Sequence, residues 1–221
     1  MSPQTEIKQK QFIEYKAIFQ RYCRIKEIIF LFLIMDDINL FTQVRNSKML
    51  LNEVYFWTDT VKDWYRVFSD DNYKNIVLST LEELVARKKI IVYAFVIMPN
   101  HLHLIWKLEE LNGKELPHAS FNKFTAHQIF QDLKLNNSPI LQHFKVSDGE
   151  RNYRLWQRDP LAILMDSIIK IEQKIDYLHL NPLQDRWQLC KRPEDYPWSS
   201  ARFYETGYDE FGFLTDYRDE F

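Results

Sequence analysis

The run VIMPNHLHLIWKL, Val96–Leu108, decides how this chain folds. The apolar run IIVYAFVIM stops at Pro99-Asn100 and hydrophobicity resumes as HLHLIWKL, so the two runs read as strands of a hairpin. In a strand, residues i and i+2 share a face. His101 and His103 therefore stand side by side, while Leu102 and Leu104 turn the other way. Two neutral imidazoles so placed can bind one divalent cation and leave positions open for other ligands. Taken alone, H-x-H reads equally as two histidines making ordinary hydrogen bonds on a half-exposed sheet face.

Around this hairpin the pattern is regular. LLNEVYFWT, Leu50–Thr58, alternates and is rich in β-formers, hence a strand. VFSDDNYKNIVLSTLEELVARKK offers Ser69 or Asp70 as N-cap, an apolar stripe at Ile76, Val77, Leu81, Leu84 and Val85, and a basic end, which predicts an amphipathic helix. SFNKFTAHQIFQDLKLN, capped by Ser120, reads as a second helix and YRLWQRDP as a short strand. Residues 161–181 read as a third helix, stopped by Pro182. The order β-α-β-β-α-β followed by a helix is that of an α+β, ferredoxin-like or RRM-like sandwich. Its central antiparallel sheet carries the histidine strand, with helices on one face.

Three segments are expected. Residues 1–48 are lysine-rich with helical apolar spacing (Phe12, Ile13, Ala17, Ile18), and form either a helical extension or the product of a start upstream of Met49. Residues 49–205 form the main domain, and residues 206–221 an acidic tail that would repel DNA and cover a site on the domain.

Composition limits the function classes. With 46% hydrophobic and 27% charged residues, the chain is a folded protein rather than a disordered one. A net charge of −2 argues against a generally basic nucleic-acid binder but allows a local patch. Aromatics at 15% serve a core or stack on bases. Cys23 and Cys190 fit no metal spacing, which suits a reducing cytoplasm. The apolar run Ile28–Met35 falls far short of the roughly 20 residues that span a bilayer, and no small-residue cleavage site follows it.

The third helix answers the histidines. In IDYLHLNP, Tyr177 and Asn181 are four residues apart and share a helical face. A phenol and an amide oxygen there can supply a nucleophile and a third metal ligand. The plainer readings are a core tyrosine, one of twelve in the chain, and a helix-terminal asparagine before Pro182.

Taken together, MPNHLHLIW, LWQRD, YLHLNP and RPEDYPWSSARFY resemble, in order and approximate spacing, the REP-associated tyrosine transposases, single-tyrosine members of the HUH (His-hydrophobic-His) transposases. The resemblance runs from about Met49 to Tyr204. It implies an RRM-like fold with the histidine strand central, and a metal-dependent enzyme that cuts and rejoins single-stranded DNA at hairpin-associated sites. By motif match His101, His103 and Asn181 would bind Mg²⁺ or Mn²⁺, and Tyr177 would form a 5′-phosphotyrosyl intermediate. It further implies a hairpin or palindromic DNA partner, and favours a monomer while leaving open the tyrosine-helix-exchanging homodimer of mobile-element relatives.

Supporting residues carry two readings each. Arg151, Arg154, Trp156, Gln157 and Arg158, which include the family-like W-Q-R segment, read as a DNA-facing edge or as a surface strand with scattered charge. Lys170 and Lys174 read as phosphate contacts or as a solvated helix face. His179 is expected to be structural and Trp198 a packing anchor. Two readings compete with catalysis: a hairpin-binding protein without chemistry, and an RRM-like RNA-binding domain. The extension and the long NNSPILQHFKVSDGERNY segment depart from the family pattern.

Overall fold

The computed structural model describes residues 48–148 and 151–221. The extension expected over residues 1–48 lies outside them up to residue 47.

Among the described residues six strands and four α-helices follow one another as β1 (Val54–Thr60), α1 (Asp71–Ala86), β2 (Ile90–Ile97), β3 (His101–Leu108), α2 (Pro117–Leu135), β4 (Lys145–Asp148), β5 (Arg151–Tyr153), β6 (Leu161–Leu164), α3 (Ile168–Leu180) and α4 (Ala201–Thr206). Four strands form an antiparallel sheet in the order β2-β3-β1-β6, while β4 and β5 pair as a separate ribbon. This is the ferredoxin-like arrangement, with the ribbon inserted before the last strand of the sheet. The histidine strand β3 lies inside the sheet, between β2 and β1.

Local chemistry sets the helix ends. Asp70 caps α1 by accepting a hydrogen bond from the Asn72 amide. The helix closes where Lys88 adopts a left-handed conformation (φ 56°) and the Lys88 and Lys89 amides bond back to Val85 and Leu84. Ser120 does not cap α2. That helix starts at Pro117, whose missing N–H suits a first turn, and the Ser120 hydroxyl donates to the Pro117 carbonyl instead.

The expected third helix begins late. Leu161–Leu164 pairs with β1 as the fourth strand of the sheet, and the helix opens only at Ile168. Residues 154–160 form no regular strand, although Trp156 bridges Val61.

Alternation along the strands builds two cores. Trp57, Leu102, Leu104 and Trp106 face α1 and α2, where they meet Val77, Leu81, Phe121 and Ile129. Phe56, Ala94, Val96 and Ile105 face α3, through Ile171, Ile175 and Leu178. A bulge in β2 between Val92 and Ala94 places Tyr93 and Ala94 on the same side.

The C-terminal segment packs along β2. The Ile97 amide donates to the Trp198 carbonyl, the Ser200 amide to Phe95, and the Thr215 amide to Val92. Phe213 is buried in the first core, and Glu220 accepts from the Tyr93 hydroxyl and the Lys107 ammonium. Residues 206–221 thus contain part of the sheet's packing as well as acidic charge. No helix among the described residues is long and apolar enough to cross a membrane.

Candidate active site

His101 and His103 emerge from β3 on the face covered by α3, opposite Thr60 and Thr58 of β1. Their rings are 4.9 Å apart, centroid to centroid. Each is held at Nδ1: His103 by the Thr58 hydroxyl at 2.7 Å, His101 by Asn100 Oδ1 at 2.7 Å. The Asn100 amide nitrogen donates to the Trp64 carbonyl, so its oxygen is the end that meets His101. Asn100 Oδ1 can only accept, so the His101 proton sits at Nδ1 and its Nε2 is the bare, ligating nitrogen. The Thr58 hydroxyl, which can accept as well as donate, allows the same tautomer in His103.

Burial keeps both imidazoles neutral. It pushes His101 down to about 3, with the Arg186 guanidinium adding to the effect. His103 is held well below the ordinary histidine value by burial, then by His101, Lys174 and Arg186.

The third helix brings Tyr177 against this pair. Its ring lies 5.4 Å from that of His103, edge to face, and 5.9 Å from Phe56, which itself stacks on His103 at 5.3 Å. The Lys174 ammonium, one turn earlier, lies over the Tyr177 and Phe56 rings at 5.5 and 5.4 Å.

One turn later Asn181 is fully buried, its amide nitrogen bonded to the Tyr177 carbonyl at 3.3 Å. Asn181 Oδ1 and His103 Nε2 are both buried without a hydrogen-bond partner. Native interiors seldom leave such atoms unpaired, because each costs about 1–3 kcal/mol. Buried acceptors without a donor, an imidazole nitrogen and an amide oxygen, are groups that a divalent cation would satisfy, so the residues fit the Mg²⁺ or Mn²⁺ that the family resemblance implies. Among the described residues no three His, Cys, Asp or Glu side chains form a metal cluster.

The other expected site residues are scattered. Lys170 is ion-paired with Asp166 at 2.7 Å. The Trp156 ring sits in the core against Phe68 and Phe121, its Nε1 donating to Thr125 at 3.1 Å, so it presents no face to a nucleic-acid base. A surface role there gives way to packing, because the bridge to Val61 turns the ring inward. Gln157 is half-buried, its amide bonded to Thr60, and Arg158 is exposed. Arg154 follows the β4–β5 ribbon, and the Arg151 side chain lies outside the described part of the structure.

Sequence reasoning missed Asn100, Thr58 and Arg186. The Pro99-Asn100 pair reads only as a turn, and nothing in the local sequence ties Thr58 or Arg186 to the histidines.

The fold and site together define a ferredoxin-like sandwich with a paired-histidine central strand facing a tyrosine-bearing helix. No protein-family model matches the chain, and no curated protein matches it. Among solved structures the chain is similar to a REP-associated tyrosine transposase bound to a REP hairpin, with 18% identity and a TM-score of 0.52 over 79% of this chain and 92% of that one. The chain has that transposase's fold. A putative transposase from Deinococcus radiodurans R1 also matches, at 17% identity and a TM-score of 0.35, over 61% of this chain and 98% of that one.

Proposed function

We propose that this chain is a DNA-processing enzyme of the transposase type, a nuclease and strand transferase acting on single-stranded DNA at hairpins. What carries the reading is the pair of orphaned buried atoms, His103 Nε2 and Asn181 Oδ1, in two residues that both lie against Tyr177, His103 at its ring and Asn181 at its carbonyl. The fold shared with a hairpin-bound transposase supports it.

In this reading His101, His103 and Asn181 hold a divalent cation, Mg²⁺ or Mn²⁺, which when bound polarises a phosphoryl oxygen. The Tyr177 oxygen attacks phosphorus and the bond to the 3′ oxygen breaks. The phenol proton ends on the released 3′-hydroxyl, and a 5′-phosphotyrosyl adduct remains. A phenol, with pKa about 10, leaves more readily than a sugar hydroxyl, so an incoming 3′-hydroxyl can reverse the step without ATP. Lys174, over the Tyr177 ring, stabilises developing phenolate charge. The protein works as a cytoplasmic monomer, its catalytic domain spanning residues 49–205.

The test is a covalent-adduct assay with a hairpin oligonucleotide carrying a single-stranded flank, in Mn²⁺. Wild type should form a denaturation-resistant protein–DNA band, and Tyr177→Phe should form none. An adduct persisting in Tyr177→Phe would reassign the nucleophile. No adduct with wild type would favour a binding protein without chemistry.

A further inference from the structure

Beside His101 lies a group of basic and aromatic side chains that the chemistry above does not use. The Trp187 ring is 5.9 Å from that of His101. The guanidiniums of Arg66 and Arg186 both lie over Trp187, at 5.1 and 5.7 Å from its centroid. Both arginines are exposed, and among the described residues neither has a carboxylate within ion-pair distance. Arg186 also acts electrostatically on both histidines. The segment carrying Arg66 is tied to the same corner, because Asn100 bonds the Trp64 carbonyl with one end and His101 with the other.

Trp64 itself is 64% exposed and adopts a left-handed backbone conformation (φ 52°), as does Asp63 (φ 54°). For a bulky residue that conformation is uncommon and strained. A large apolar ring held in water on strained backbone gains nothing for the free protein.

We infer that Arg66, Trp187, Arg186 and Trp64 form a cradle that leads single-stranded DNA to the histidine pair. Trp187 holds the two guanidiniums in place, these take successive backbone phosphates, and Trp64 offers a face on which an unpaired base stacks. Duplex DNA has no free base face, so the cradle selects single strands. The inference rests on the nuclease reading for its direction, but its binding test does not need chemistry.

The measurement is fluorescence anisotropy of the full chain, bearing Tyr177→Phe to prevent covalent capture, with a labelled unstructured oligonucleotide and with its duplex. A salt titration accompanies each. Arg66→Gln with Arg186→Gln should weaken single-strand binding at least tenfold. The double variant should also flatten the log–log salt slope by about 1.4, at about 0.7 per lost phosphate contact. Trp64→Ala should weaken binding with the salt slope unchanged, while Arg192→Gln, whose guanidinium is paired to Asp195, should change neither. Unchanged single-strand affinity and slope in the arginine double variant would overturn the cradle, as would an equal loss on duplex. Absence of an adduct with the unmodified chain would count against the nuclease alone.

Discussion

His179 and Ser200 are hydrogen-bonded in the interior at 2.8 Å, imidazole Nε2 to hydroxyl. His179 is two residues beyond Tyr177 on α3, and the same serine hydroxyl receives the Phe95 amide of β2 at 3.0 Å. The bond therefore ties the tyrosine-bearing helix to the sheet through the C-terminal segment. Its strength is that of a buried polar link whose loss strands two groups. Ser200→Ala should lower stability by about 1–3 kcal/mol in denaturant titration. Adduct formation should slow more than DNA binding weakens, because Tyr177 loses its seat while phosphate contacts persist. A proportionate fall in both would reduce the link to a purely structural one.

Removing the orphaned oxygen tests the metal assignment without relying on activity. Asn181→Leu deletes a buried, unpaired acceptor and, with opposite effect, the amide donor to the Tyr177 carbonyl, so the metal-free variant should match wild type in stability within about 1 kcal/mol. Wild type should gain thermal stability on adding Mn²⁺, since a ligand that binds only the folded state stabilises it in proportion to the logarithm of its concentration over Kd. The variant should lose most of that gain. An equal Mn²⁺-induced rise in melting temperature for both proteins would remove Asn181 from the donor set.

Asp59 predicts a pH dependence. Its carboxyl is buried between β1 and α2, and burial raises its pKa to about 8 against the lowering effects of Asn122 and the Thr60 amide. A folded-state value above the unfolded one means the protonated form is favoured by folding. Asp59 thus costs nothing below about pH 4 and destabilises increasingly as pH rises from there to about 8. Asp59→Asn should match wild type at pH 4 and exceed it at pH 8, by on the order of 1–3 kcal/mol. The Asn122 Oδ1 atom, buried without a partner, is available to accept from the new amide. Equal stability of the two proteins at pH 8 would contradict this.

Trp156 and Arg158 should separate cleanly. Trp156→Ala opens a cavity among Phe68, Phe121 and Thr125 and should cost about 3–5 kcal/mol in stability. Arg158→Ala, at an exposed position, should change stability by less than about 0.5 kcal/mol. Urea melts of both variants decide it.

The histidine face, the α1 cap at Asp70 and the ferredoxin-like order were legible because they rest on short-range periodicity and capping chemistry. Tyr177 beside His103 followed from joining two motifs through a family resemblance. What escaped had causes beyond local pattern. Leu161–Leu164 hides as a strand inside LAILMDSIIKIE, where apolar content is continuous and only pairing to β1 separates strand from helix. Trp156 sits among arginines in sequence, yet its bridge to Val61 turns it inward. Asn100, Arg66 and Trp187 reach His101 from three different segments, a meeting that spacing along the chain does not encode.

The strap of residues 198–215 along β2 also bears on self-association. By occupying that strand's outer hydrogen-bonding groups it closes one margin of the sheet to a second molecule. The opposite margin is the four-residue β6, too short to template a firm strand-to-strand union. Among the described residues, two copies that meet along the four-stranded sheet must therefore do so through side chains, and this sheet should resist edgewise fibre growth.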